Sequence, residues 1–143
     1  MKVSELLQQK GSAVATINQS QLVGDAVQLL RERGIGALVV VGATPPLVGI
    51  LSERDVVRAL ANGEEGVLDQ RVSELMTVNI TVCSPSSTTL ELMELMTEMR
   101  VRHIPVTDGE SLVGIVSIGD VVHARLHELE REKTELLEYV SAR

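Results

Sequence analysis

Two fourteen-residue stretches constrain this chain more than anything else in it. Residues 47–60 read LVGILSERDVVRAL and residues 112–125 read LVGIVSIGDVVHAR, with nine of the fourteen positions identical. Each passes from a strand-like apolar run, through Gly and then Ser-x-x-Asp, into a helix-like run. A chain that spells the same junction twice is built from two copies of one supersecondary unit.

The repeat extends backward from both stretches. The segment IGALVV aligns with VRHIPV, and helix-like runs precede them at Val23–Arg33 and Thr89–Met99. The apolar residues Ala26, Val27, Leu29 and Leu30 match Leu92, Met93, Leu95 and Met96 on a helical period. Earlier still come VATIN (14–18) and ITVCS (80–84), both strand-like. The offset between copies is 66 residues up to the second strand and 65 after it. The turns GATPPL and DGESL, rich in turn residues, account for the slip. Each copy therefore predicts strand, helix, strand, turn, strand, helix, with strands 37–41 and 47–51 forming a hairpin covered on both faces. The expected fold class is α+β: two β-α-β-β-α repeats packed with pseudo-twofold symmetry, followed by an extended C-terminal helix. The expected units are 9–66, a linker 67–75, 76–126 and a helix extension 127–143. A copy of about 60 residues buries little surface alone, so the two are expected to pack together. With 44% apolar residues and Tyr139 as the one aromatic, the core must be aliphatic.

Beyond the second copy the helical pattern continues to about residue 140. Val122, Leu126, Leu129, Lys133, Leu136 and Val140 are spaced 4, 3, 4, 3, 4, which makes a seam of the coiled-coil kind with one polar member. Glu128, Glu130, Arg131, Glu132 and Glu135 mark the wet faces. The seam predicts a partner chain; the competing reading folds the helix back on its own subunit.

Ser-x-x-Asp at a strand-to-helix junction is the pattern of a capping box, in which Ser accepts from the backbone N–H three residues on and the acid reaches back. Ser52 and Ser117 are expected to cap in this way. Three features add a ligand reading. The helix N-terminus lies at a strand's carboxyl end, where free N–H groups and the helix dipole favour an anion. The acid is Asp in both copies, and a carboxylate can accept from both hydroxyls of a ribose. Arg54 in the first copy, and Arg102 with His103 in the second, supply donors for phosphate.

On these residues (GILSERD and GIVSIGD, with IGALVV and VRHIPV ahead of them) the chain resembles a tandem pair of CBS (cystathionine-β-synthase-type) domains over about residues 9–126. It is most similar to stand-alone CBS-pair proteins, whose front Lys10-Gly11 and the run 14–17 match. The resemblance implies an intramolecular pair, the Bateman module, that commonly dimerises. It also implies clefts between the copies for adenosine-containing ligands: AMP, ADP, ATP, NAD(H) or S-adenosylmethionine. By that likeness Asp55 and Asp120 hold ribose hydroxyls, and Ser52 and Ser117 meet phosphate or ribose. Thr16, Ala37 and Leu38 frame one adenine through backbone and apolar contacts, and Val82, Ile104 and Pro105 frame the other. Arg54, Arg102 and His103 contact phosphates. The copies are unequal. Val82 lacks the hydroxyl of Thr16, Ile118-Gly119 lacks the cation of Glu53-Arg54, and Gly36-Ala37 stands where Arg102-His103 stands.

Several classes are expected to be absent. A net charge of −7 argues against a nucleic-acid partner, since neutralising phosphates needs clustered Lys and Arg. The single cysteine, Cys83, permits no intrachain disulfide and fits a reducing compartment; it reads as a small core hydrophobe. MKVSELLQQKG lacks the continuous apolar segment of a signal peptide, and no run reaches the ~18 apolar residues of a membrane span. A cytoplasmic protein without a membrane partner is expected. His123 and His127 share a helix face without the Glu of HExxH and read as solvated. Met93, Met96 and Met99 read as core and groove filler. No GxSxG, metal-ligand cluster or phosphate loop occurs, so no enzyme and no catalytic cofactor are expected. The expected function is adenine-nucleotide binding (AMP, ATP or NAD(H)) by a regulatory homodimer that signals energy or redox state to a partner protein. Similar stand-alone pairs in plants are associated with control of thioredoxin-system proteins, which makes a redox protein one candidate partner. The alternatives are a scaffold working through its C-terminal helix with vestigial clefts and, from a third class, a slow nucleotide hydrolase.

Overall fold

The hairpin at the centre of the first repeat sets the register for everything around it. In the computed structural model, which describes residues 1–43 and 47–142, strand β2 (Ala37–Val41) pairs antiparallel with β3 (Leu47–Ser52) and parallel with β1 (Thr16–Asn18). The turn expected at 42–47 lies, for residues 44–46, outside the described residues. Between β1 and β2 runs helix α2 (Val23–Arg33), stopped at Gly34 in the left-handed conformation (φ 61°) that glycine adopts without a Cβ clash. Ala26 and Leu30 of α2 pack on Ile17, Leu38, Val40 and Leu51, all buried. Helix α3 (Glu53–Ala61) follows β3 directly, and a 3-10 turn (Val67–Asp69) and the one-turn helix α4 (Val72–Leu75) complete this part. Val23, Val56, Ala59 and Val67 form a second apolar cluster.

The second repeat supplies α5 (Thr89–Met99), β4 (His103–Asp108), β5 (Ser111–Ser117) and the 24-residue helix α6 (Ile118–Ser141). β4 and β5 form their own two-stranded sheet. The β-α-β-β-α order and the long last helix are those expected. One strand is shorter than expected. In place of a strand over 80–84 there is a single parallel bridge, Cys83 to Val106. Proline explains the difference. In the first repeat Val39 donates to the Ala15 carbonyl (3.1 Å) and Gln19 to that of Val41 (3.0 Å). The corresponding residues are Pro105 and Pro85, which have no N–H, so both outer rungs are lost. The two inner ones survive: Cys83 N–H to Pro105 O at 3.0 Å and Thr107 N–H to Cys83 O at 2.9 Å.

One element was not expected at all. Residues Val3–Lys10 form a helix, α1, that buries Val3, Leu6 and Leu7. It is the counterpart of α4. VSELL at 3–7 matches VSELM at 72–76, at an offset of 69. The anchoring bonds match too. Val3 and Ser4 N–H donate to Ser87 O (2.7 Å) and Pro85 O (3.0 Å), as Val72 and Ser73 donate to Gln21 O (2.8 Å) and Gln19 O (3.0 Å). Each VSEL helix thus docks on the repeat that does not follow it. The chain accordingly divides into one unit of Met1–Ser12, Val82–Asp108 and Gly114–Arg143, and another of Ala13–Thr81 and Gly109–Val113.

This docking explains the glycine in both LVGI runs. A Cβ on Gly49 would lie 2.8 Å from Met76 Sδ and 2.9 Å from the Thr77 carbonyl oxygen, and one on Gly114 would lie 2.7 Å from Leu7 Cδ2. Only a residue without a side chain admits the VSEL helix so close.

Candidate functional site

In the first repeat the site is built on the face of the sheet opposite α2. Register places Ala37 opposite Ser52, Val39 opposite Ile50, and Thr16 beside Val39, so Thr16, Ala37 and Ser52 share one face. Leu38 points the other way. It is fully buried among Ile17, Leu30, Leu51 and Val72, so what it offers the Thr16 face is backbone, not an apolar side chain. Thr16 is exposed and Ala37 buried.

Ser52 closes β3 in an extended conformation (φ −110°, ψ 163°) and is the N-cap of α3. Its Oγ accepts from Asp55 N–H at 3.4 Å, and Asp55 Oδ2 accepts from Ser52 N–H at 2.8 Å and from Ser52 Oγ at 3.1 Å. The Glu53 N–H donates to the Gly36 carbonyl at 2.9 Å. The capping box expected from Ser-x-x-Asp is therefore present. A further partner was not foreseen: Thr77 Oγ1 donates to Asp55 Oδ1 at 3.2 Å. Arg54, at the second helical position, is exposed.

The second repeat holds the same box. Ser117 (φ −96°, ψ 163°) caps α6, Ser117 Oγ accepts from Asp120 N–H at 3.2 Å, and Asp120 Oδ2 accepts from Ser117 N–H at 2.9 Å. The Ile118 N–H donates to the Arg102 carbonyl at 2.8 Å, as Glu53 does to Gly36. Here the additional partner is a cation. Lys10, the last residue of α1, donates to Asp120 Oδ2 at 2.6 Å and to the Ile115 carbonyl at 2.8 Å. Partial burial pushes the Asp120 carboxyl up, but the hydrogen bonds from Lys10 and Ser117 and the Lys10 charge outweigh it and hold the group below its ordinary value.

Around this box Arg102 is exposed, His103 half-buried, and Ile104 and Pro105 buried. Alternation along β4 puts His103 and Pro105 on one face and sends Ile104 to the other with Val106. Val82 is 44% exposed and stands one residue before Cys83, as Thr16 stands before Ile17. In each repeat the second N–H of the helix, that of Arg54 or Gly119, has no protein acceptor among the described residues. Each helix start therefore offers one open donor, a fixed carboxylate and a neighbouring cation, which together suit a ligand carrying hydroxyls and negative charge.

Other expected features divide. Val122, Leu126, Leu129, Leu136 and Val140 of the seam are all exposed, as are Leu137 and Tyr139. Met96 is buried, whereas Met99 is 53% exposed and fills no core position. His123 and His127 are exposed and stack edge-to-face at 5.4 Å. Burial pushes the Cys83 thiol up to about 11, so it carries little thiolate at neutral pH. Among the described residues there is no cluster that could hold a metal ion, and no helix is long and apolar enough to cross a membrane.

Sequence reasoning missed Lys10 and Thr77 as partners of the two carboxylates. The signal was the VSELL/VSELM repeat: it puts a helix end beside each Gly-bearing strand, and beside each Asp either the residue that ends the helix (Lys10) or one two positions past its end (Thr77).

The duplicated strand-cap-helix unit is that of a known domain. The CBS domain family matches residues 3–62 and 72–127, and the chain belongs to that family, as a tandem pair. A CBS-domain protein from Agrobacterium tumefaciens has the same fold, with a TM-score of 0.84 and 45% identity over 87% of this chain and 99% of its own. The mitochondrial CBS domain-containing protein CBSX3 of Arabidopsis thaliana is 36% identical over 147 aligned residues, covering 96% of this chain and 71% of its own length. The CBS domain pair of the protein MJ0100, solved in complex with 5′-methylthioadenosine and S-adenosyl-L-methionine, has a TM-score of 0.78 over 90% of this chain; at 22% identity that likeness bears on the fold.

Proposed function

We propose that this chain is a regulatory module that binds adenosine-containing ligands at two sites, one on each Ser-x-x-Asp junction, and passes their occupancy to a partner protein. The observation that carries the reading is the paired geometry: in both repeats the same capping box fixes a carboxylate beside an open helix N–H. Asp55 and Asp120 would accept the ribose hydroxyls, and Ser52 and Ser117 would border ribose or phosphate. Thr16, Ala37 and the Leu38 backbone would border one adenine, and Val82, Pro105 and the Ile104 backbone the other. Arg54, Arg102 and His103 would meet phosphate. The two adenosine-containing ligands of the MJ0100 pair support the ligand class, and AMP, ATP and NAD(H) are the candidates here. The repeats 9–66 and 76–126 act as the two binding halves, and residues 127–143 as the extension. Carboxylates used as hydroxyl acceptors do no acid–base work, and we assign the chain no catalysis. Binding changes the output only as far as the ligand prefers one arrangement of the module. The module works as a homodimer in the cytoplasm, with a redox protein among the candidate partners.

Calorimetric titration of the nucleotide-stripped protein with AMP, ATP, NAD and NADH tests this. Micromolar binding of at least one supports the reading, and no binding by any of them overturns it.

A second reading, a scaffold with vestigial sites, is favoured by one observation. The α6 seam is exposed along its whole length, with Leu126 58%, Leu136 63% and Val140 59% exposed. Truncation after Arg125 separates the two: under the scaffold reading it removes all partner binding, while ligand binding by the sensor survives it.

A further inference from the structure

We propose that Lys10 is the residue that fits the Asp120 site to a phosphate-bearing ligand, the role that Arg54 has at the Asp55 site. The proposal rests on the ligand-binding reading above and asks which residue sets the ligand class at one of its sites. At both junctions a carboxylate meant for ribose lies at the helix start where a phosphate would also lie, and two anions a few ångströms apart repel. A cation must offset that repulsion. The first repeat carries one in the motif itself, Arg54, next to Asp55. The second has Gly119 there, with no side chain to offer. The fold restores the missing charge from a residue 110 positions away, seating the Lys10 ammonium 2.6 Å from Asp120 Oδ2.

Three details favour a working cation over a plain fastening of α1. The pair is reachable, since the Lys10 and Asp120 side chains keep 30% and 25% of their surface exposed. Lys10 and the Ser117 N–H both fall on Oδ2, so a ribose hydroxyl can take Oδ1 without displacing the lysine. An ammonium has three donors, and two are in use, on Asp120 and Ile115. The third is left for a phosphate oxygen. Arg102, just before β4, is exposed and makes no ion pair with Asp120 among the described residues. At the Asp55 site the matching partner is a neutral hydroxyl, Thr77, beside the motif's own arginine.

The test uses Asp55→Ala to silence the first site and compares AMP with adenosine at the second by calorimetry, with and without Lys10→Met. The expected result is a loss of about ten-fold in AMP affinity with a change of less than about two-fold for adenosine, reversed for AMP by Lys10→Arg. Thermal melting of each variant checks that it is folded. Equal losses for both ligands, tighter binding of both, or no change for AMP would each overturn the proposal. So would an Asp55→Ala protein that binds neither ligand when the wild type binds AMP. A wild type that binds no adenosine ligand at all is a different failure, that of the ligand-binding reading itself.

Discussion

Asp55 and Asp120 stand at the same place in two copies of one motif, and different chemistry holds them. Asp55 is held by its own cap and by a neutral hydroxyl from Thr77; Asp120 is held by its own cap and by a lysine from the start of the chain. The common part is local. A capping box needs only a Ser and an Asp three residues apart, so duplication carries it along unchanged. The differing part comes from the VSEL helices, and their lengths decide it: α4 has four residues and ends before Thr77, whereas α1 has eight and carries Lys10 a turn further, onto β5. The two junctions thus share one capping geometry and differ electrostatically through the length of a helix outside the motif.

The comparison can be broken first at the cores. Leu38 and Ile104 are equivalent and fully buried. Each changed to Ala should cost about 2–5 kcal/mol in denaturant unfolding, and a much smaller cost at one would mean that the two repeats do not share a packing plan. The glycines sharpen it next. At Gly49 a new Cβ meets the Thr77 backbone oxygen at 2.9 Å, which cannot rotate away; at Gly114 it meets only the tip of Leu7. Gly49→Ala should therefore destabilise by about 2–3 kcal/mol and Gly114→Ala by about 1 kcal/mol, and the reverse order would refute the docking of the VSEL helices.

Acid unfolding examines the ion pair. The Asp120 carboxyl titrates below its ordinary value, so the stability it contributes is complete above the unfolded carboxylate's ~3.9 and is lost as pH falls through the lower folded value. Lys10→Met should cost up to about 1 kcal/mol at pH 7, with wild type and variant converging as Asp120 protonates; a gap that persists in acid would locate the lysine's contribution elsewhere. The smallest effect concerns Cys83, the counterpart of buried Ile17. With its thiol pushed up to about 11, it should react with a disulfide reagent at pH 8 far more slowly in the folded protein than after denaturation.

Much of this was legible in the residues, for identifiable reasons. The helices Val23–Arg33 and Thr89–Met99 and the strand Ala37–Val41 run as periodicity and flanking turn residues indicate. Both capping boxes were legible because their partners are three residues apart. The strand over 80–84 was over-read, since apolar pattern does not register that Pro85 and Pro105 remove donors on facing segments. Helix α1 escaped notice because VSELL is short and its match is offset by 69 residues, not the 66 of the segment that follows. Lys10 and Thr77 were missed for a related reason: their carboxylate partners are 110 and 22 residues distant, and only the fold brings them together.

The most direct test of two distinct sites on one motif is an AMP titration of wild type, Asp55→Ala and Asp120→Ala. The account predicts two classes of site in the wild type. Each variant should lose one class, weakened roughly a hundred-fold, while losing no more than about 2 kcal/mol of stability from its cap. If both variants bind AMP as the wild type does, the paired aspartates are helix caps and nothing more, and the account of the sites is wrong.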